Sequence, residues 1–327
     1  MMKRGDTAMT SNKSSLANSP KKGKLRILWN QVQGEYHLYL MFLPVVIYYV
    51  LFKYIPVFTA FFMSLTDYDI YKGFLGSHFV GLQNFMEFFD SIYFGRLLKN
   101  TLGINLLNLA FAFTTPIIFA LLLNEIAHTG VKRVIQTISY LPHFVSTVVV
   151  ASIIVTFLSP STGLVNNIIT HMFGGRSVAF LQRPQYFWAI MTIQAVWKET
   201  GWGAIIYIAA LTGINSELYE AAGIDGAGRL RQTWHITLPG IAPTIVVMFL
   251  IRIGSLLEVG YEMIILLYSP AIYSTADVFS TYVYRRGILE SSYSYSAAVG
   301  LFQSLIGFGM VVAANKLSRK LTDTSLW

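Results

Sequence analysis

Six stretches of this chain stay apolar long enough to cross a bilayer, which takes ~20 mostly apolar residues. They cover about 37–65, 98–123, 134–158, 186–213, 241–268 and 294–315. Pro44, Pro56 and Pro116 fall inside them, and proline kinks a membrane helix without forbidding it. The first 36 residues are different, being rich in Ser, Asn, Gly and Lys. They cannot bury enough apolar surface to offset the entropy of ordering, so they read as a disordered, mobile tail. That tail is too long and polar for the short charged region of a cleavable signal, so the first span is expected to remain as an anchor. The predicted fold is all-α, a polytopic membrane protein of six transmembrane helices over 37–316, with tails at 1–36 and 317–327.

Composition agrees, since 54% of the 327 residues are hydrophobic and only 12% are charged. The net charge of +8 does not form a groove-sized patch, because many basic residues flank apolar segments at the two ends, so nucleic acid is not the expected partner. Lys3, Arg4, Lys13, Lys21, Lys22, Lys24 and Arg26 precede the first span, and Lys316, Arg319 and Lys320 follow the last. The positive-inside rule puts both ends in the cytoplasm, which an even span count allows. The same count puts Lys132, Arg133 and the 215–240 loop on the cytoplasmic side. With no cysteine, a disulfide, a thiol nucleophile and a Cys-ligated metal are all excluded.

The outward segments hold aromatic clusters, "FVGLQNFMEFF" at 79–89 and "VFSTYVYRRGILESSYSY" at 278–295. Aromatic rings gather at the water–lipid boundary, so short interfacial helices and an aromatic belt are expected there.

The 215–240 loop interrupts two very apolar segments with "NSELYEAAGIDGAGRLRQTWHITLP". Asn215 or Ser216 offers an N-cap, a short helix follows to about Gly223, Gly226 breaks it, and a second short helix should end before Pro239. Ala221 and Ala222 leave a bare face, and a glycine lets another backbone approach. Such a surface suits docking.

Glu220, Ala221, Ala222 and Gly226, followed after nine residues by Ile236, Leu238 and Pro239, resemble the cytoplasmic coupling loop of membrane permeases of bacterial type I ABC importers. The stretches "LPVVIYYVLFKYIP", "FVGLQNF", "ISYLPHFVS", "LEVGYEMIILLYSP" and "TADVFSTYVYRRGI" resemble the carbohydrate-uptake permeases, in the branch for complex polysaccharide and oligosaccharide fragments. The resemblance implies a bacterial cell-membrane protein with no catalytic residues of its own. It also implies a separate ATPase dimer that uses ATP and Mg, a second permease subunit, an extracytoplasmic solute-binding lipoprotein and an oligosaccharide substrate. The sequence agrees in one respect, for it contains no G-x-x-x-x-G-K-[ST] phosphate loop, so ATP energy must enter through a contact.

Ionisable groups inside a membrane helix usually face a bundle interior or a watery cavity. In the fifth span Ser255, Glu258 and Glu262 fall on one stripe at 100° per residue, with Arg252 beside it. Lys198 and Glu199 sit mid-way along the fourth. Antiparallel neighbours place Glu199 level with Arg252 and Lys198 level with Glu258, and a structural ion pair between Glu199 and Arg252 is expected over direct solute contact. Two polar stripes, Thr101/Asn105/Asn108/Thr115 and Gln136/Ser139/His143/Ser146, suit interhelical hydrogen bonding as well as solute binding. Gln194, Trp202, Tyr207 and Tyr261 add amide, aromatic and hydroxyl groups of the kind a sugar path needs. The solute-path candidates are thus Asn105, Asn108, Gln194, Glu199, Glu258, Tyr261 and Glu262. His143 has no second His or acid at ligand spacing, so no metal is expected.

Three rivals stand at this level: a permease of the same architecture for a non-sugar solute, a secondary transporter or channel, and a non-transporting scaffold, which would have no need of a charged stripe within its spans. The second would show an inverted repeat with paired broken helices, and no such self-similarity is visible.

Overall fold

Proline shapes two of the long helices in the same way. In the first, Tyr36–Ser64, a π turn at Val50–Tyr54 closes with Ile55 N–H on Val50 O, and Pro56 follows. In the fifth, Arg229–Gly254, a π turn at Thr233–Thr237 closes with Leu238 N–H on Thr233 O, and Pro239 follows. A proline has no N–H to donate and its ring crowds the carbonyl four residues back. The wider turn moves that carbonyl aside, and the helix continues. This corrects the expectation that the second short helix of the 215–240 loop ends before Pro239: it runs straight on as the start of the fifth long helix.

The computed structural model describes residues 35–322, which fall in two compact units, 1–59 and 60–327. The tail expected at 1–36 lies, through residue 34, outside the described residues. In the first unit no residue of Tyr36–Tyr49 is buried, as suits a lipid-facing helix.

The second unit opens with a short antiparallel ladder, Thr66 opposite Phe79 and Asp67 opposite His78. The helix Gln83–Asp90 then leads to the second long helix, Ile92–Asn124. The third is a bent pair, Thr129–Phe144 and Thr147–Phe157, meeting at 96°, where one straight span over 134–158 was expected. Val145 is extended there, and Ser146 starts the second limb as an N-cap by accepting from Val149 N–H at 3.4 Å. The fourth, Pro184–Leu211, begins with proline in its first turn. The sixth runs from Tyr293 to Thr322, past the expected edge at 316. Among the described residues four helices are long and apolar enough to cross a membrane, or five with the bent pair taken as one. Pro184–Leu211 has the length, but Gln194, Lys198 and Glu199 lower its hydropathy. The six-span count therefore does not follow from apolarity alone.

Two glycines let helices touch the fourth. A Cβ on Gly201 would collide with Ser139 O, and one on Gly103 would collide with the Trp188 ring, so both positions need a residue without a side chain.

The aromatic run at 278–295 is not a surface belt. Phe279 and Tyr282 are fully buried and pack with Phe88, Leu97, Leu257, Tyr295 and Val299. Rings meet edge to face, as in Phe88 on Tyr295 at 6.2 Å and 80°, the arrangement the ring quadrupole favours. A polar clamp holds this segment in the core. Arg285 forks onto the fully buried Asp277 at 3.1 and 2.6 Å, Thr281 donates to the same carboxylate at 3.0 Å, and Asn100 Nδ2 donates to Asp277 O at 2.9 Å. Burial pulls the pKa of Arg285 down, but the hydrogen bonds and charge of Asp277 outweigh it and hold the guanidinium above its usual value.

Candidate functional site: a polar cavity and the 215–240 loop

The second, fourth and fifth long helices, with Thr147 of the third, line a partly open cavity of about 790 Å³. All seven solute-path candidates line it. Asn105 and Asn108 come from the second helix, Gln194 and Glu199 from the fourth, and Glu258, Tyr261 and Glu262 from the segment after the fifth. Lys198, Trp202, Tyr207, Arg252 and Ser255 line it as well.

The route to this convergence differs from the helical-stripe reading. The fifth helix ends at Gly254 and a new one begins only at Tyr261, so Ser255, Glu258 and Glu262 do not share a helical face. They reach the cavity because the backbone between them is unwound. The expected Glu199–Arg252 pair is also absent. Glu199 Oε2 lies 3.2 Å from His143 Nδ1, and the His143 ring stacks on Trp202 with centroids 4.5 Å apart and planes 4° from parallel. Among the described residues Lys198, Arg252, Glu258 and Glu262 enter no ion pair. Charges left without a partner in a membrane protein are costly unless water or a solute meets them.

The polar stripe on the second helix divides by role. Thr101 Oγ1 accepts from Phe279 N–H at 3.4 Å, Thr115 Oγ1 accepts from Thr200 at 3.1 Å, and Asn105 Nδ2 donates to Leu256 O at 2.7 Å. Asn108 is different. Its side chain is 8% exposed, and its Oδ1 has no hydrogen-bond partner. A buried carbonyl oxygen without a donor is destabilising, and Asn108 presents this unpaired acceptor at the cavity wall. On the third helix Ser139 bonds back to Ile135 O within its own helix.

In the 215–240 loop Asn215 caps the helix Ser216–Ile224 by accepting from Glu217 N–H at 3.0 Å. The helix ends in a Schellman motif: Ala227 N–H reaches Ala222 O at 2.8 Å and Gly226 N–H reaches Gly223 O at 3.1 Å. That closure requires a left-handed residue, and Gly226 has φ +77°. Glu220, Ala221, Gly226 and Pro239 are exposed, while Ala222, Ile236 and Leu238 are half-buried. Tyr219 OH meets Thr237 Oγ1 at 3.0 Å, tying the short helix to the π turn. Sequence reading missed Ile224 and Leu230, which are 88% and 80% exposed beside the glycine turn. An apolar side chain outside the helical pattern, next to a polar turn, was the available signal.

Among the described residues no group of His, Asp and Glu side chains is arranged to hold a metal ion.

Comparison with known proteins gives a consistent answer. The chain is 43% identical over 307 residues to the polygalacturonan/rhamnogalacturonan transport system permease protein YteP of Bacillus subtilis (strain 168), covering 94% of this chain and 95% of that protein. It is 44% identical over 290 residues to Protein LplB of the same organism, covering 89% and 91%. In structure it resembles a chain of a bacterial alginate ABC transporter solved in complex with an alginate pentasaccharide-bound periplasmic protein. The TM-score is 0.85 at 43% identity, over 91% of this chain and 99% of that one. Residues 112–323, which carry most of the cavity wall and the whole 215–240 loop, match the model of the binding-protein-dependent transport system inner membrane component, and the chain belongs to that family of transport permeases.

Proposed function

We propose that this chain is the translocating subunit of an ATP-driven importer for an oligosaccharide or polysaccharide fragment. The solute comes from an extracytoplasmic binding protein and passes through the cavity lined by Asn108, Gln194, Lys198, Arg252, Glu258 and Tyr261. A second permease subunit completes the pathway. A separate ATPase dimer, using ATP and Mg, docks on the 215–240 loop. In this reading the chain crosses the membrane six times with both termini in the cytoplasm, the side favoured by the basic residues flanking the first and last spans, and Pro184–Leu211 is the polar span that faces the solute. The cavity carries this reading. Amides, hydroxyls, aromatic faces and four charges without ion-pair partners converge on one space of about 790 Å³, which matches a polar ligand that must be oriented without being held tightly.

Lys198 and Arg252 favour solutes that carry carboxylates, as the alginate of the structural relative does. Uptake by the complete reconstituted transporter tests this. Lys198→Met and Arg252→Met should reduce uptake of a uronate oligosaccharide more than that of a neutral one. If no oligosaccharide, acidic or neutral, enters vesicles containing the wild-type complex with a loaded binding protein, the reading is wrong.

A further inference from the structure

The fifth long helix breaks between two glycines, Gly254 and Gly260, with no proline between Pro243 and Leu267 to force the break. An apolar run of this kind predicts one helix. Instead the backbone from Ser255 to Gly260 is held by turn bonds, Ser255 N–H to Arg252 O at 3.2 Å, Leu256 N–H to Ile253 O at 3.0 Å and Glu258 N–H to Ser255 O at 2.9 Å. Unwound backbone at membrane depth survives only where its freed carbonyls find other donors or line a cavity. Both conditions are met. Asn105 Nδ2, from the second helix, donates to Leu256 O at 2.7 Å. Gln303 Nε2, from the sixth, donates to Leu257 O at 2.7 Å. Two adjacent carbonyls are thus taken from two different helices, and the same segment gives Ser255, Glu258, Val259 and Gly260 to the cavity wall. On its other side the break continues the uninterrupted helix that starts at Arg229 in the 215–240 loop.

We propose that Asn105 and Gln303 are positioning residues of the solute path, whose side-chain amides hold the fifth helix unwound so that Ser255 and Glu258 stand on the cavity wall. The positional role rests on the transport reading above; the unwinding does not. Asn105 then acts on the solute through the backbone rather than by direct contact. When the amides are withdrawn, local hydrogen bonding is the remaining way to satisfy Leu256 O and Leu257 O, and the segment winds into helix.

Hydrogen exchange of the amides at 256–262, measured in the complete reconstituted transporter, reads this directly. In Asn105→Leu and in Gln303→Met these amides should exchange at least tenfold more slowly than in the wild type, because they gain helical acceptors. Simple loosening of the fold would speed them instead, so the sign separates the two. Gly260→Pro in the Asn105→Leu background should restore fast exchange, since φ at Gly260 is −54°, close to the value proline imposes, and a Cβ there meets nothing within 4 Å. If Asn105→Leu does not assemble, Gln303→Met carries the same test alone. Exchange as fast as wild type or faster in the assembled variants overturns the proposal. Slowed exchange with unchanged uptake would leave the unwinding standing and remove the cavity as the solute path.

Discussion

Glu199 and His143 face each other across the fourth and third helices at 3.2 Å, and the imidazole lies flat on Trp202. One histidine therefore touches two cavity-lining side chains, stacking its face on the indole and bringing its Nδ1 near the carboxylate without a well-formed hydrogen bond. Among the described residues Arg252 enters no ion pair.

Replacing His143 should loosen both. Because Glu199 is 45% exposed, water screens the pair, and its coupling should be about 1 kcal/mol or less. A double-mutant cycle of His143→Leu and Glu199→Gln, read by thermal unfolding of the purified protein, should give a small favourable interaction energy. Strict additivity would mean that the contact carries no energy.

Glu258→Gln and Glu262→Gln should each lower uptake about tenfold, the equivalent of ~1.4 kcal/mol, while the assembled complex is recovered in normal amount. Both side chains line the cavity and, among the described residues, have no ion-pair partner, so neutralising them breaks no ion pair. Poor assembly with normal transport per complex would assign them to packing instead.

Much of this was legible from local chemistry. Long apolar runs located most of the long helices, though not their bends and breaks, and the cap at Asn215 and the turn at Gly226 follow from residue types whose conformational preferences are local. What escaped sequence reading depends on distant partners. The break at Ser255–Gly260 has no proline to announce it, because its cause is a pair of amides at Asn105 and Gln303. The partner of Glu199 is His143 rather than Arg252, because helix depth predicts level but not rotation. The 278–295 segment was expected at the water–lipid boundary, and only the packing around Phe279 and Tyr282 puts Asp277 and Arg285 in the core. The cavity candidates still converged, since polar side chains in an apolar helix have few other places to go.

Asp277→Asn should destabilise strongly. The carboxylate is fully buried and Arg285 only 16% exposed, so removing the negative charge leaves the guanidinium with no anion and only the Tyr273 and Tyr282 ring faces against its desolvation, at about 3–5 kcal/mol. The paired change Asp277→Leu with Arg285→Met should lose less than the single one. Unfolding temperatures in detergent decide this, and an unshifted midpoint for Asp277→Asn would show that the clamp is not structural.

The glycine turn in the 215–240 loop offers the most discriminating test of docking, because strain and obstruction can be separated there. Gly226 has φ +77°, and a Cβ built on it meets nothing within 4 Å. Within this chain a side chain therefore costs only backbone strain, ~1–3 kcal/mol for a β-branched residue, and much less for asparagine, which tolerates the left-handed region. Gly226→Asn should leave the Schellman closure and membrane insertion intact yet place an amide where a partner backbone would approach. If a separate ATPase seats on this turn, Gly226→Asn and Gly226→Val should both reduce its co-purification and the solute-stimulated hydrolysis of the reconstituted complex, with valine worse by the strain it adds. Ile224→Asp, which changes an 88% exposed side chain, should do the same without touching the turn. Wild-type ATPase recovery and stimulation in all three variants would place the docking surface elsewhere on the chain.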